Sequence, residues 1–254
     1  MTASPVKSVL VTGAAQRIGH AIALRLGRAG WRVAVHYNTS EKAAAETVEA
    51  IRAGGGFAVA VQADLARDEE TADLIGKAVE AVGPLTALVN NASVFDRDQW
   101  DTVTREGWDR NLTINLWAPF HLSQTFARQL PETMEGAIVN LIDQRVWRLN
   151  PDFTSYTVSK TGLWTLTQTL AQALAPRIRV NGIGPGPVLQ SIYQTPDRFA
   201  REASRIPLAR AVAPEEIAET ALFLLDQPSI TGQLIAVDGG QHLAWKTPDL
   251  DGTY

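Results

Sequence analysis

Val9-Leu10-Val11-Thr12-Gly13-Ala14-Ala15-Gln16-Arg17-Ile18-Gly19 is the stretch that decides the reading of this chain. An apolar strand ends, a glycine follows, and a second glycine stands near the start of a helical pattern over 18–29. Gly13 can take the positive φ of a tight turn, and Gly19 lets helix and strand approach closely. The helix start offers unpaired N–H groups and the positive end of its dipole to an anion. A glycine turn between the first strand and the first helix is therefore expected to bind a pyrophosphate, with Gly13, Arg17, Ile18 and Gly19 around it.

Outward from this turn, short apolar runs alternate with helical patterns. Strands are expected at 6–11, 31–37, 57–62, 87–90, 137–142, 178–183 and 234–237. Helical stretches lie near 41–52, 69–81, 104–129, 156–174 and 215–225. Continuous apolar strands imply burial on both faces, hence a parallel sheet covered by helices. The repeated strand–helix order selects the α/β class: a doubly wound Rossmann-type sheet of about seven strands in a single domain over 1–254. The Pro-Gly-rich segment 184–187 and the polar segment 190–205 read as loops over the carboxyl edge of the sheet, where ligands bind in such folds.

Composition narrows the function classes. Of 254 residues, 45% are hydrophobic and 20% charged, as in a globular protein. With no cysteine, disulfides, thiolate metal sites and cysteine nucleophiles are excluded, and no metal site is expected. A net charge of -4 gives no electrostatic reason for a nucleic-acid or anionic-membrane partner. No apolar run reaches the roughly 18 residues of a membrane span, and 1–7 lacks a signal-peptide pattern, so a cytoplasmic location is expected.

Thr12-Gly13-Ala14-Ala15-Gln16-Arg17-Ile18-Gly19 resembles the short-chain dehydrogenase/reductase fingerprint TGxxxGxG, with Arg17 in place of the middle glycine. That replacement resembles the pteridine reductase branch, in which an arginine of this turn reaches cofactor phosphate and bound pterin. After the second strand stands Val35-His36-Tyr37-Asn38-Thr39-Ser40, with no acid before Glu41. An NAD enzyme usually has a carboxylate here for the ribose hydroxyl. Tyr37, Asn38, Thr39 and Ser40 suit a 2′-phosphate instead, so NADP is the expected cofactor. Asp64-Leu65 resembles the family's adenine-contacting pair, Asn90-Asn91-Ala92 its central motif, and 181–186 its Pro-Gly loop. Asn91, Ala92, Pro185, Gly186 and Val188 are accordingly expected at the cofactor.

Tyr156-Thr157-Val158-Ser159-Lys160 is the YxxxK motif. Residues four apart share a helical face, so phenol and ammonium address one ligand. The Lys160 charge is expected to lower the Tyr156 pKa. Asn115 resembles the family's fourth catalytic residue, which implies a local helix bend and a water-linked proton relay to Lys160. Thirteen residues before Tyr156, where most members carry serine, stands Asp143. A carboxylate there would repel a developing alkoxide but suits a substrate whose ring nitrogen takes a proton. Pteridine reductases resemble this chain at Asp143, and also at Ser93 and Phe95, which the resemblance assigns to hydrogen-bonding and stacking on the pterin.

The resemblance covers nearly the whole chain, with 187–206 as the substrate loop. It implies hydride transfer from NADPH to a pterin: dihydromonapterin, dihydrobiopterin and dihydrofolate all remain open. Arg17, Ser93, Phe95, Asp143 and Tyr156 would bind substrate; Asp143, Tyr156, Lys160 and Asn115 would form the catalytic set. Two other readings stand beside it, a carbonyl reductase such as a 3-oxoacyl-carrier-protein reductase, and a non-catalytic nucleotide-binding protein. By family habit a homotetramer or homodimer is expected, and Leu163, Leu166, Leu170 and Leu174 fit a core or a helix–helix interface equally well.

Overall fold

In the computed structural model, which describes residues 6–244, strand β1 (Ser8–Val11) is buried along its whole length. Val9 and Val11 face one helical layer and Leu10 the other, so each of the three packs on apolar partners. β2 (Arg32–Tyr37) pairs on one side and β4 (Ala87–Asn90) on the other, both parallel. With β3 (Phe57–Gln62), β5 (Gly136–Leu141), β6 (Ile178–Pro185) and β7 (Leu234–Val237), they form one parallel seven-stranded sheet. Its order, β3-β2-β1-β4-β5-β6-β7, reverses direction between β1 and β4. This is the doubly wound Rossmann arrangement anticipated from the strand–helix alternation, and the reversal opens a crevice at the carboxyl ends of the strands.

One face is covered by α1 (Arg17–Arg28), α2 (Glu41–Ala53) and α8 (Pro214–Asp226), with α1 against α8. The other carries α3 (Asp68–Val82), α5 (Ala118–Gln129) and α6 (Thr154–Ala173), around Leu10, Leu74, Leu88, Phe126 and Ile138. Each such fully buried side chain contributes about 1.5–3 kcal/mol. This two-sided core holds the strand ends rigidly, and the functional loops ride on it. The ends of the expected 1–254 domain lie outside the described residues.

Two elements depart from the sequence expectation. The helix over 104–129 is three pieces: α4 (Arg105–Leu112), a π-helical turn (Thr113–Trp117) and α5. The polar segment 190–205 is not all loop, because it contains α7 (Pro196–Ser204). Thr195 caps α7 by accepting the Arg198 N–H at 3.3 Å, Pro196 starts it and Asp197 complements its dipole. These local signals outweigh the scarcity of apolar residues there. Among the described residues, no helix is long and apolar enough to cross a membrane.

Candidate active site

The glycine turn is built against β4. Thr12 Oγ1 accepts the N–H groups of Asn91 and Ala92, both at 2.9 Å, and Asn91 Nδ2 donates to the Thr12 carbonyl at 2.8 Å. Gly13 has φ +61°; a Cβ at Gly19 would overlap the Gly13 carbonyl and lie 2.5 Å from Asn91 Nδ2. No side chain larger than hydrogen fits between them. Below the turn, buried His36 accepts the Gly13 N–H through Nδ1 at 2.9 Å and faces the Ala63 carbonyl through Nε2 at 3.1 Å. Burial depresses its pKa from 6.5 to about 4, so the ring is neutral and carries its proton on Nε2.

A cleft of about 750 Å³ extends from this turn over the carboxyl ends of β1, β4, β5 and β6. Gly13, Arg17, Ile18, Gly19, Tyr37, Asn38, Thr39, Ser40, Asp64 and Leu65 line one part, with Asn91, Ala92, Pro185, Gly186 and Val188 beside them. The first turn of α1 has neither an acidic residue nor a side-chain cap, which leaves its N–H groups open to a phosphate. Donor set, turn and cleft thus fit a dinucleotide. Arg17 opens α1 with φ +56°, and its guanidinium donates to the carbonyls of Gln190 at 3.1 Å and Leu189 at 3.2 Å, tying the turn to the segment that carries α7.

Asp143, Tyr156 and Lys160 meet in the same cleft. The Tyr156 hydroxyl donates to Asp143 Oδ2 at 2.9 Å, while Asp143 Oδ1 accepts the Arg145 N–H at 2.8 Å. Burial raises the Asp143 pKa, opposed by the Arg145 charge and by these hydrogen bonds. Lys160 is buried, donates to the Leu141 carbonyl at 2.8 Å, and burial lowers its pKa to about 8. The Tyr156 pKa corrects the sequence expectation: it is raised well above the phenol range. Burial disfavours tyrosinate, and the Asp143 carboxylate repels it; Lys160, 5.7 Å from the ring, does not reverse the balance. Tyr156 is a neutral phenol holding a proton to give.

Asn115 sits in the π turn and faces the loop after β4. It exchanges two hydrogen bonds with the Val94 backbone at 2.9 Å and accepts from Ser93 Oγ at 3.0 Å. Its Nδ2 also lies 3.2 Å from Ser159 Oγ, one residue before Lys160. The π turn swings Asn115 inward, a use this rare geometry often has. Phe95 stacks on Phe153 at 4.2 Å and 13°, meets Tyr156 edge-on at 4.7 Å, and leans on Tyr193 at 6.3 Å. Phe153 itself is held at φ +62°.

Several residues here escaped the sequence reading. Asp98, buried, accepts the Ser155 N–H at 3.2 Å and the Ser155 hydroxyl, and its carbonyl accepts the Phe153 N–H at 2.7 Å. It caps the catalytic helix from the loop that bears Phe95. Arg145, Gln144, Phe153 and Tyr193 also line the cleft, and no motif marks them. Trp100 and Trp147 are exposed and do not line the cleft.

Residues 13–242 match the family model described as enoyl-(acyl carrier protein) reductase. Among curated relatives, 3beta-hydroxysteroid dehydrogenase 1 of Eggerthella lenta is 37% identical over 93% of this chain and 94% of its own length. The 3-oxoacyl-acyl-carrier-protein reductase of Staphylococcus epidermidis is 35% identical over 93% and 99%. Among solved structures, FolM alternative dihydrofolate reductase 1 from Brucella canis, complexed with NADP, is 49% identical with a TM-score of 0.93, over 96% of this chain and 97% of that one. The angucycline C-6 ketoreductase LanV with bound NADP is 33% identical with a TM-score of 0.87, over 94% and 96%. The glycine turn, the tyrosine–lysine pair and matches spanning nearly the whole chain make it a member of the short-chain dehydrogenase/reductase family.

Proposed function

We propose that the chain is an NADPH-dependent reductase acting on a reduced pterin. The observation that carries this reading is the Asp143–Tyr156 hydrogen bond, 2.9 Å long, with the Tyr156 ring edge-on to Phe95. The similarity to FolM alternative dihydrofolate reductase from Brucella supports it.

NADPH, when bound, supplies the hydride. Gly13, Arg17, Ile18 and Gly19 would hold its pyrophosphate, Tyr37 to Ser40 the 2′-phosphate, Asp64 and Leu65 the adenine. Asn91, Ala92, Pro185, Gly186 and Val188 line the cleft between that end and Tyr156. Lys160 would hold the nicotinamide ribose. Phe95, one face of which is stacked on Phe153, would offer its other face to the pterin ring, and Ser93 and Arg17 would bind its polar edges. Tyr156, whose hydroxyl donates to Asp143 at rest, would give its proton to a ring nitrogen and regain one from solvent by way of Asp143. The raised Asp143 pKa lets that carboxyl carry a proton more readily than an ordinary aspartate. Asn115 acts as a positioning residue, fixing the 93–94 backbone against α6. Segment 187–206, tied down by Arg17, acts as the substrate loop.

Asp143→Ser tests the assignment: pterin turnover should fall about 10- to 100-fold, the worth of a charge-assisted hydrogen bond, while ketone reduction is retained or improved. Unchanged pterin kinetics would refute it. The second reading, a carbonyl reductase, is favoured by the 3-oxoacyl-acyl-carrier-protein reductases among the curated relatives. A homo-oligomer is supported by an apolar groove on the outer face of α4 to α6, lined by Leu112, Leu116, Trp117, Phe120 and Leu166, with Trp117 45% exposed. Light scattering reads its stoichiometry. Leu163, by contrast, is buried, and Leu170 and Leu174 pack on the core.

A further inference from the structure

The turn that follows Asp143 sets a shielded cation beside the Asp143–Tyr156 pair. Arg145 stands on the 3-10 turn Gln144–Val146; its N–H donates to Asp143 Oδ1 at 2.8 Å, and its Nε lies 3.9 Å from Asp143 Oδ2. The side chain is 17% exposed, and Nη1 is buried without a hydrogen-bond partner. The guanidinium otherwise meets aromatic rings, its central carbon 4.9 Å from the Phe153 centroid and 5.6 Å from that of Phe95. Charges on the neighbouring elements are engaged elsewhere. On the Phe95 loop, Asp96 pairs with Arg110 at 2.6 Å and Asp98 bonds Ser155. On the carboxyl-terminal turn, His242 and Asp238 bond each other at 2.7 Å. From α6, Tyr156 donates to Asp143, and Lys160 is a second buried cation, bonded to the Leu141 carbonyl. β6 presents the uncharged Gly184. Among the described residues, Asp143 is the only carboxylate within ion-pair distance of Arg145.

We propose that Arg145 is a positioning residue for proton delivery, its shielded charge keeping the Asp143 carboxylate ionised and aimed so that the Tyr156 hydroxyl points to it. The inference deepens the reading of Asp143 and Tyr156 as the proton-delivering pair and rests on it. Burial alone would drive this carboxyl neutral. An opposite charge within about 4–6 Å opposes that by about one to three pKa units, and little water screens it here. The carboxyl can then hold its charge at rest, accept the Tyr156 hydrogen bond and still take up a proton in passing. The contacts with Phe153 and Phe95 keep the guanidinium from turning out to solvent, so the charge stays where it acts.

The test titrates Asp143 in the ligand-free protein by carboxyl infrared difference spectra, with Asp143→Asn identifying its band. Arg145→Met keeps the stem without the charge and should move the Asp143 midpoint up by about one pH unit or more. Arg145→Lys keeps a cation and should move it much less. With NADPH and a dihydropterin, the lower-pH inflection of kcat should rise together with the carboxyl midpoint while the NADPH KM is unchanged. A merely structural role for Arg145 would instead lower the thermal midpoint of the variants and leave the Asp143 titration alone. Should Arg145→Met not fold, Arg145→Gln removes the charge with a polar side chain and should give the same rise. An Asp143 midpoint that stays put in the uncharged variants, rises equally in Arg145→Lys, or shifts without moving the kcat profile overturns the proposal. Failure of the pterin reading looks different: the wild type would then not oxidise NADPH with the dihydropterin, and the carboxyl titration would still decide the role of Arg145.

Discussion

Protonating His36 should loosen the cofactor turn, and its cost can be worked from the structure. The neutral ring accepts the Gly13 N–H at 2.9 Å and donates toward the Ala63 carbonyl at 3.1 Å, in a site 2% exposed. The imidazolium has a donor on both nitrogens, so Gly13 N–H would face N–H. With the pKa depressed from 6.5 to about 4, the unfolded chain takes the proton first as pH falls. The stabilisation is complete above about 6.5 and is lost as pH falls through about 4, amounting to about 3 kcal/mol. His36→Asn keeps an acceptor toward Gly13 but does not titrate. Urea unfolding at a series of pH values then isolates the effect. The variant should be about 1 kcal/mol less stable at pH 7 for the lost Ala63 bond. Between pH 6.5 and 4 it should lose about 3 kcal/mol less than wild type. Parallel pH profiles would refute the argument.

Gly19→Ala should abolish NADPH binding, because its Cβ would overlap the Gly13 carbonyl and lie 2.5 Å from Asn91 Nδ2; dissociation constants within about threefold of wild type would contradict the packing argument. Turnover should fall as pH rises through about 8, where Lys160 loses its charge; a pH–rate profile with no alkaline limb there would remove Lys160 charge from the mechanism. Asp98→Ala should cost about 2 kcal/mol by leaving the buried Ser155 N–H unpaired, and should lower kcat more than it raises the NADPH KM. An equal loss in both would make Asp98 a structural cap only.

How far the sequence could be read depended on whether a residue's environment is local. Val9–Val11 and Ala87–Val89 declare themselves because a strand buried on both faces is almost continuously apolar. Gly13, Gly19 and the Tyr156–Lys160 pair are local too, since a tight turn and a four-residue helical offset carry their own geometry. Asp98 is different: it caps α6 from 57 residues upstream, so no pattern around either residue announces the contact. Gln144 and Arg145 look like ordinary loop polarity until the fold buries them. The Tyr156 pKa was misjudged for the same reason. Lys160, four residues on, was visible, whereas the burial that dominates the shift belongs to the tertiary structure. Helix α7 was missed because Thr195 and Pro196 signal a start that its scarce apolar residues do not reinforce.

The most direct test of the central claim is NADPH oxidation by the wild-type protein with a dihydropterin and, separately, with a β-ketoacyl thioester. The Asp143–Tyr156 pair at 2.9 Å predicts kcat/KM about tenfold or more in favour of the dihydropterin, and Tyr156→Phe should abolish that turnover while NADPH still binds. Preference for the thioester, or dihydropterin turnover that survives loss of the Tyr156 hydroxyl, would contradict the account.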